Sequence, residues 1–146
     1  RLGIPASDIL LASDVDLVNK GAVAEVLAGL EMIKNKDCFQ RVEMFYWQHE
    51  SKNGNAEVDY LDVRGGVVLP IEVKANTKGA MQSLYLFMHK KHLHKAVRTS
   101  MENFSSYDYQ DPEPNKEDTD PIRHIEIYPL YALSNMKTDK RPSDAR

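Results

Sequence analysis

Cysteine is nearly absent. Cys38 is the only one in 146 residues, so no disulfide can close within the chain, and a reducing, cytoplasmic setting is expected. No apolar run approaches the ~20 residues that a bilayer span needs, so no membrane partner is expected. The opening Leu2-Gly3-Ile4-Pro5 lacks the charged start, long apolar stretch and small-residue site of a secretory leader. The chain begins at Arg1 and reads as a piece of a longer protein. It has no Gly-x-x-x-x-Gly-Lys-Ser/Thr loop to cradle nucleotide phosphates and no Gly-x-Ser-x-Gly elbow, so neither ATP hydrolysis nor serine-hydrolase chemistry is expected from these residues.

A strong charge of either sign is also missing, since the net is -3. That value hides an uneven distribution. Residues 105–121 hold Asp108, Asp111, Glu113, Glu117, Asp118 and Asp120 against Lys116 alone, a net of -5, which leaves +2 on the rest. Pro112, Pro114 and Pro121 lie in the same stretch, so a solvated acidic loop is expected there. What is present suits one compact domain. At 42% hydrophobic the chain can bury a core, and residues 1–133 read as a single domain followed by a polar tail over 134–146.

Periodicity alternates between helical and extended. Ser13 to Asp16 resembles a capping box, and Val23, Val26, Leu27, Leu30 and Ile33 recur at helical spacing, predicting a helix over 14–34 with that stripe facing the core. A strand follows at 42–47, a hairpin at 57–63 and 67–74, and a second helix marked by Met81, Leu84, Tyr85 and Met88. Strands at 95–99 and 122–133 complete an α-β-β-β-α-β-β order, an α/β fold with a mixed, mainly antiparallel sheet flanked by helices.

The hairpin carries the chemistry. Gly65-Gly66 is a two-residue turn signal that sets the register, placing Arg64 opposite Val67, Asp59 opposite Glu72 and Glu57 opposite Lys74. Two directly opposed carboxylates repel, so the pair calls for a cation. An ordinary cross-strand ion pair at a hydrated strand end is the plain alternative. Pro70 interrupts a strand that ought to be central, and a bulge near it is expected. On the first helix, Glu25 shares its side with Gly21, Ala22, Ala28, Gly29 and Met32, a face that would let another segment approach closely.

Together, Glu25, Asp59 within Glu57-Val58-Asp59-Tyr60, and Pro70-Ile71-Glu72-Val73-Lys74 closing a hairpin resemble the PD-(D/E)XK, or restriction-endonuclease-like, nuclease superfamily. More narrowly, these residues with Asn19-Lys20-Gly21, Tyr46-Trp47, Arg98-Thr99-Ser100 and the run from Ile127 to Ala132 resemble the domain of unknown function at the C-terminal end of many prokaryotic AAA-type ATPases. The resemblance implies a core of order α-β-β-β-α-β. It also implies Asp59 and Glu72 as ligands of Mg²⁺ or Mn²⁺, aided by the Val73 carbonyl and by Glu25, and Lys74 beside the attacking water. The implied reaction is phosphodiester hydrolysis of DNA, with an ATPase domain upstream as the intramolecular partner.

The densest basic stretch, from His89 to Lys95 and on to Arg98, offers Lys90, Lys91, Lys95 and Arg98 as nucleic-acid contacts, although a solvated helix end explains the cations equally well. Its three histidines match no common zinc spacing. Gln82 and Tyr85 are one residue closer than the Gln-x-x-x-Tyr motif of some nuclease relatives. That departure favours the alternative function, a catalytically inactive module that docks DNA or a protein, with self-association into a homo-oligomer as a further possibility.

Overall fold

The computed structural model describes residues 20–34, 36, 38–39, 41–52, 54–75, 80–113 and 120–136. Within them run α1 (Lys20–Lys34), β1 (Phe45–Ser51), β2 (Gly54–Arg64), β3 (Val67–Glu72), α2 (Gln82–Lys91), β4 (Lys95–Ser100), β5 (Ser105–Gln110), β6 (Ile122–Pro129) and a 3-10 helix (Leu130–Asn135). The six strands form one mixed sheet in the order β1-β2-β3-β4-β6-β5, with β3, β4 and β6 parallel and the other pairings antiparallel. This is an α/β architecture. Alternate residues of the strands feed two cores. Ile71, Val73 and Val97 pack with Ala24, Ala28 and Met32 of α1 and with Leu130 and Leu133 of the 3-10 helix. On the opposite face, Val58, Ala96 and Ile125 pack with Leu84, Phe87 and Met88 of α2.

The hairpin takes the register set by its glycine turn. Gly65 and Gly66 have φ of 57° and 85°, and the pairs run from Arg64–Val67 to Tyr60–Ile71. The irregularity lies one strand away from Pro70. Opposite β1, Phe45 pairs with Leu61 and Trp47 with Val58, so Tyr46 alone faces both Asp59 and Tyr60. This is a bulge in β2. It shifts the alternation, sending Tyr60 toward α1 while Val58 and Leu61 face α2. Pro70 marks a different break. The ladder from β3 to β4 holds only Ile71–Val97 and Glu72–Arg98, starting one residue past the proline, which has no N–H to donate. Below it the strands part around a cavity of about 550 Å³ lined by Val67, Leu69, Leu93 and Val97 among others.

Five expectations need correction. The predicted capping box at 13–16 lies outside the described residues, and the stripe assigned to the core points outward: Val26, Leu27, Leu30 and Ile33 are 40–51% exposed. The helix instead buries its small face. Ala28 and Gly29 bring its backbone close to Tyr60, whose hydroxyl donates to the Glu25 carbonyl at 2.8 Å. Residues 105–110, expected in a solvated loop, form β5, because Tyr107 and Tyr109 alternate inward onto Tyr85: the Tyr85 and Tyr107 hydroxyls lie 2.9 Å apart and the Tyr85 and Tyr109 rings stack at 3.7 Å. Asp111 is buried as well. His89 and the Arg123 guanidinium bond its carboxylate at 2.9 and 3.3 Å, and its amide donates to the Pro121 carbonyl at 2.8 Å. Burial pushes the Asp111 carboxyl up, but His89, the Glu113 amide and Arg123 outweigh it and hold it below the usual range.

The three remaining corrections concern boundaries. β1 covers Phe45–Ser51 where 42–47 was predicted, and β6 ends at Pro129. The predicted tail from residue 134 begins inside the 3-10 helix. Ser134 donates to Glu31 at 2.8 Å, and Met136 is part of the core.

A Cβ added at Gly29 would stand 2.9 Å from the Tyr60 hydroxyl oxygen. Gly29→Ala should therefore cost stability in the parent despite the ~1 kcal/mol that alanine gains in a helix. In a Tyr60→Phe background, where the nearest atom is gone, the same change should become neutral or stabilising. Urea titration of the four proteins checks the sign.

Candidate functional site

Glu72 ends β3 and is only 5% exposed. Ile71 and Val73 face α1, so alternation puts Glu72 and Lys74 together on the other side of the strand, and the Lys74 ammonium lies 2.6 Å from Glu72 Oε1. The expected cross-strand pairing of Lys74 with Glu57 gives way to this contact. Glu72 Oε2 is buried without a hydrogen-bond partner.

Lys74 is held through its backbone. Its N–H donates to the hydroxyl of Thr99 at 2.8 Å, and that hydroxyl lies 3.2 Å from the Lys74 carbonyl. Thr99, fully buried on β4, thus continues the strand pairing by side chain where the β3–β4 ladder stops. The sequence named Thr99 only within the run Arg98-Thr99-Ser100 and gave it no role.

Asp59 meets β3 differently from the expected side-by-side opposition. The paired register ends at Tyr60–Ile71, where the bulge begins, and Asp59 Oδ2 instead accepts the Val73 N–H at 2.7 Å. Glu25 stands exposed on α1 above the same spot, where Glu57, Asp59 and Tyr60 line a groove of about 200 Å³ with Met44, Phe45 and Tyr46. Glu57 was read only as a partner for Lys74; it belongs to the acidic cluster.

The electrostatics tie these groups together. Burial, followed by the charges of Asp59 and Glu25, pushes the Glu72 carboxyl up to about 7 in spite of Lys74. Burial likewise raises Asp59 against the opposing pull of the Val73 amide and Lys74. Glu25 rises through partial burial and the charges of Asp59 and Glu57. Four acids therefore share one neighbourhood with one lysine, and each raised carboxyl marks a place where added positive charge is favoured.

These acids do not stand as a finished metal cage. Among the described residues, no three His, Cys, Asp or Glu side chains are close enough to grip an ion as they are. Glu72 Oε1 is occupied by Lys74, and Asp59 Oδ2 by the Val73 amide. The donor chemistry nevertheless suits a hard cation: carboxylate oxygens from β2 and β3, one of them buried and unbonded.

The proposed nucleic-acid contacts divide between the two ends of the sheet. Arg98 pairs in register with Glu72, beside the acids. Lys90 and Lys91 close α2 and Lys95 opens β4, at the far end, where the Lys90 ammonium reaches His49 Nε2 at 2.9 Å. The histidines have local roles: His89 bonds Asp111, His94 bonds Arg123 at 2.9 Å, and His92 takes the left-handed turn that ends α2, with φ of 53°. No helix among the described residues is long and apolar enough to cross a membrane.

The raised Glu72 carboxyl has a definite sign in stability. Between pH 4.5 and about 7 the native state holds a proton that the unfolded chain has lost, so stability falls as pH rises through that window, by about 3 kcal/mol for this group. In metal-free buffer Glu72→Gln should flatten that decline, gaining on the parent at pH 8 relative to pH 5. Denaturant midpoints at the two pH values measure it.

Comparison with known proteins adds one match. No curated protein matches the chain, and no solved structure does. A family model described as a domain of unknown function, DUF4143, matches residues 20–120, from the start of α1 to the residues before β6 and through the whole acidic cluster. The match spans well over half of the chain, which therefore belongs to the DUF4143 family.

Proposed function

We propose that the chain is a PD-(D/E)XK-like nuclease domain that hydrolyses phosphodiester bonds of DNA with Mg²⁺ or Mn²⁺, as the C-terminal module of a larger AAA-type ATPase. One observation carries the reading: Glu72, Asp59, Glu25 and Lys74 come from three separate elements to one neighbourhood, and the buried Glu72 oxygen there has no partner. The order α1-β1-β2-β3-α2-β4, with β4 parallel to β3, supports a restriction-endonuclease-like core.

In this proposal Asp59 and Glu72 would hold the ion, helped by the Val73 carbonyl and, directly or through water, by Glu25. When bound, the ion supplies a lowered pKa to water and positive charge to the crowded phosphate. The chain's own residues do the rest. Lys74, 2.6 Å from Glu72 and fixed by Thr99, orients the attacking water and offsets charge on the phosphate oxygens. The water oxygen bonds to phosphorus as the bond to the leaving sugar oxygen breaks. The water gives up a proton, and the leaving oxygen gains one. Arg98 adds a second cation next to the site.

A specific observation favours a second reading. The Lys74–Glu72 contact and the Asp59–Val73 bond satisfy the motif internally, and Tyr85 is stacked on Tyr109 and bonded to Tyr107. Both features suit an inactive module that docks DNA or the ATPase.

Cleavage of single- and double-stranded DNA with Mn²⁺ separates the two readings. The parent should cut, and Lys74→Ala should lose roughly 10²-fold or more. Mn²⁺ should also raise the melting temperature of the parent and not that of Asp59→Asn, since an ion bound to the native state stabilises it. Cutting that survives Lys74→Ala defeats the site assignment. An Mn²⁺-induced shift without cutting leaves the docking module.

A further inference from the structure

The strand register carries the acidic cluster across the whole sheet. Tyr46 faces Asp59, Tyr60 pairs with Ile71 just before Glu72, Glu72 with Arg98, Arg98 with Ile127, and Ile127 with Ser105. One row therefore crosses all six strands through the acids, about 24 Å wide at ~4.8 Å per strand. Both of its ends are aromatic. Five aromatic residues are exposed among the described residues, and four of them, Phe45, Tyr46, Phe104 and Tyr131, flank this row at 51–72% exposure. Phe45 and Tyr46 line the groove of Glu25 and Asp59. At the other end Phe104, next to Ser105, shares an open groove of about 500 Å³ with Met101 and Tyr131. Phe104 is held in place there: its ring stands edge-on to Tyr128 with centroids 5.3 Å apart, and in the same turn the Glu102 amide donates to the Ser100 hydroxyl at 3.0 Å.

We propose that these rings are stacking platforms for unpaired bases, so that the substrate of the acidic site is single-stranded DNA, a specification that rests on the nuclease reading above. Every base has a π-face on which an aromatic side chain can stack, whereas a duplex buries those faces against one another. Only a single strand can use the rings. Lys74 and Arg98 stand in the middle of the row, between the two platforms, to meet the backbone phosphates. A second copy of the chain suits the rings less well. Glu25 and Glu57 lie among them at one end and Glu102 at the other, and the core of an interface between proteins is depleted of charge.

Fluorescence anisotropy with a labelled single-stranded oligonucleotide and with its duplex, in Ca²⁺, tests the proposal. The parent should bind the single strand more tightly. Tyr46→Ala, Phe104→Ala and Tyr131→Ala should each weaken that binding roughly 5- to 100-fold and leave duplex binding unchanged, while Tyr46→Phe and Phe104→Tyr, which keep the ring, should retain it. Cleavage with Mn²⁺, run beside it, reads the nuclease separately. Ring-dependent binding of the single strand without cutting upholds the platforms and defeats the nuclease. Cutting by a parent that binds duplex as tightly, or whose single-strand affinity survives loss of the rings, overturns the platforms and leaves the nuclease. Sedimentation showing a dimer that Phe104→Ala dissociates, with no single-strand binding by the parent, overturns them in favour of self-association.

Discussion

One extra residue in β2 governs what the end of β3 can do. With Asp59 and Tyr60 both opposite Tyr46, the strand cannot keep a strict alternation, and the two side chains leave in directions a regular strand would forbid. Asp59 reaches across to the Val73 amide, and Tyr60 reaches to the backbone of α1. The first contact joins the carboxylate to the strand that bears Glu72 and Lys74. The second brings the helix that carries Glu25 over the same place. Gly29 is the condition for the second, because a Cβ there would stand 2.9 Å from the Tyr60 hydroxyl oxygen. The bulge, the close helix and the acidic cluster are one arrangement.

That arrangement opposes stability. A carboxylate buried beside two other acids, with one oxygen unbonded, is a group that folding alone gives no reason to keep. Lys74 offsets part of the cost, and the rise of the Glu72 carboxyl to about 7 shows that it does not offset all of it. Buried acids elsewhere in the domain behave in the opposite way. Asp62 is bonded to Lys36 and Arg64, and Asp111 to His89 and Arg123, and both carboxyls lie below the usual range because these partners outweigh the burial that would raise them. Local rules are obeyed at Asp62 and Asp111 and broken at the end of β3, the pattern expected where function competes with packing.

What could be read from the residues follows the range of the interactions involved. The hairpin register is set by two adjacent glycines and was legible from Arg64–Val67 to Tyr60–Ile71, but not at Asp59 and Glu57, where the bulge ends the expected pairing. The second helix, with its clear apolar spacing, was legible too. The bulge was foreseen in kind but placed by Pro70, which acts on a different ladder: it shortens the β3–β4 pairing, and the extra residue lies in β2. β5 was hidden because the acids of its neighbourhood dominate the composition, while only Tyr107 and Tyr109 carry the alternation. The role of Thr99 was invisible, since a threonine in a strand looks the same whether its hydroxyl faces solvent or completes a ladder.

The orientation of α1 shows why periodicity could not decide. Both of its faces are apolar, one built from large aliphatic residues and the other from alanine, glycine and methionine, and by hydrophobicity alone the larger residues win. Contact distance reverses that choice. A helix over a bulged strand whose Tyr60 must reach the Glu25 carbonyl has to come close, and only the small face allows it. Packing thus selects the less hydrophobic side and leaves the more hydrophobic one outside. The acid at position 25 fits the same geometry: it lies on the small-residue side, so the approach that buries Ala28 and Gly29 also carries Glu25 to the groove beside Asp59.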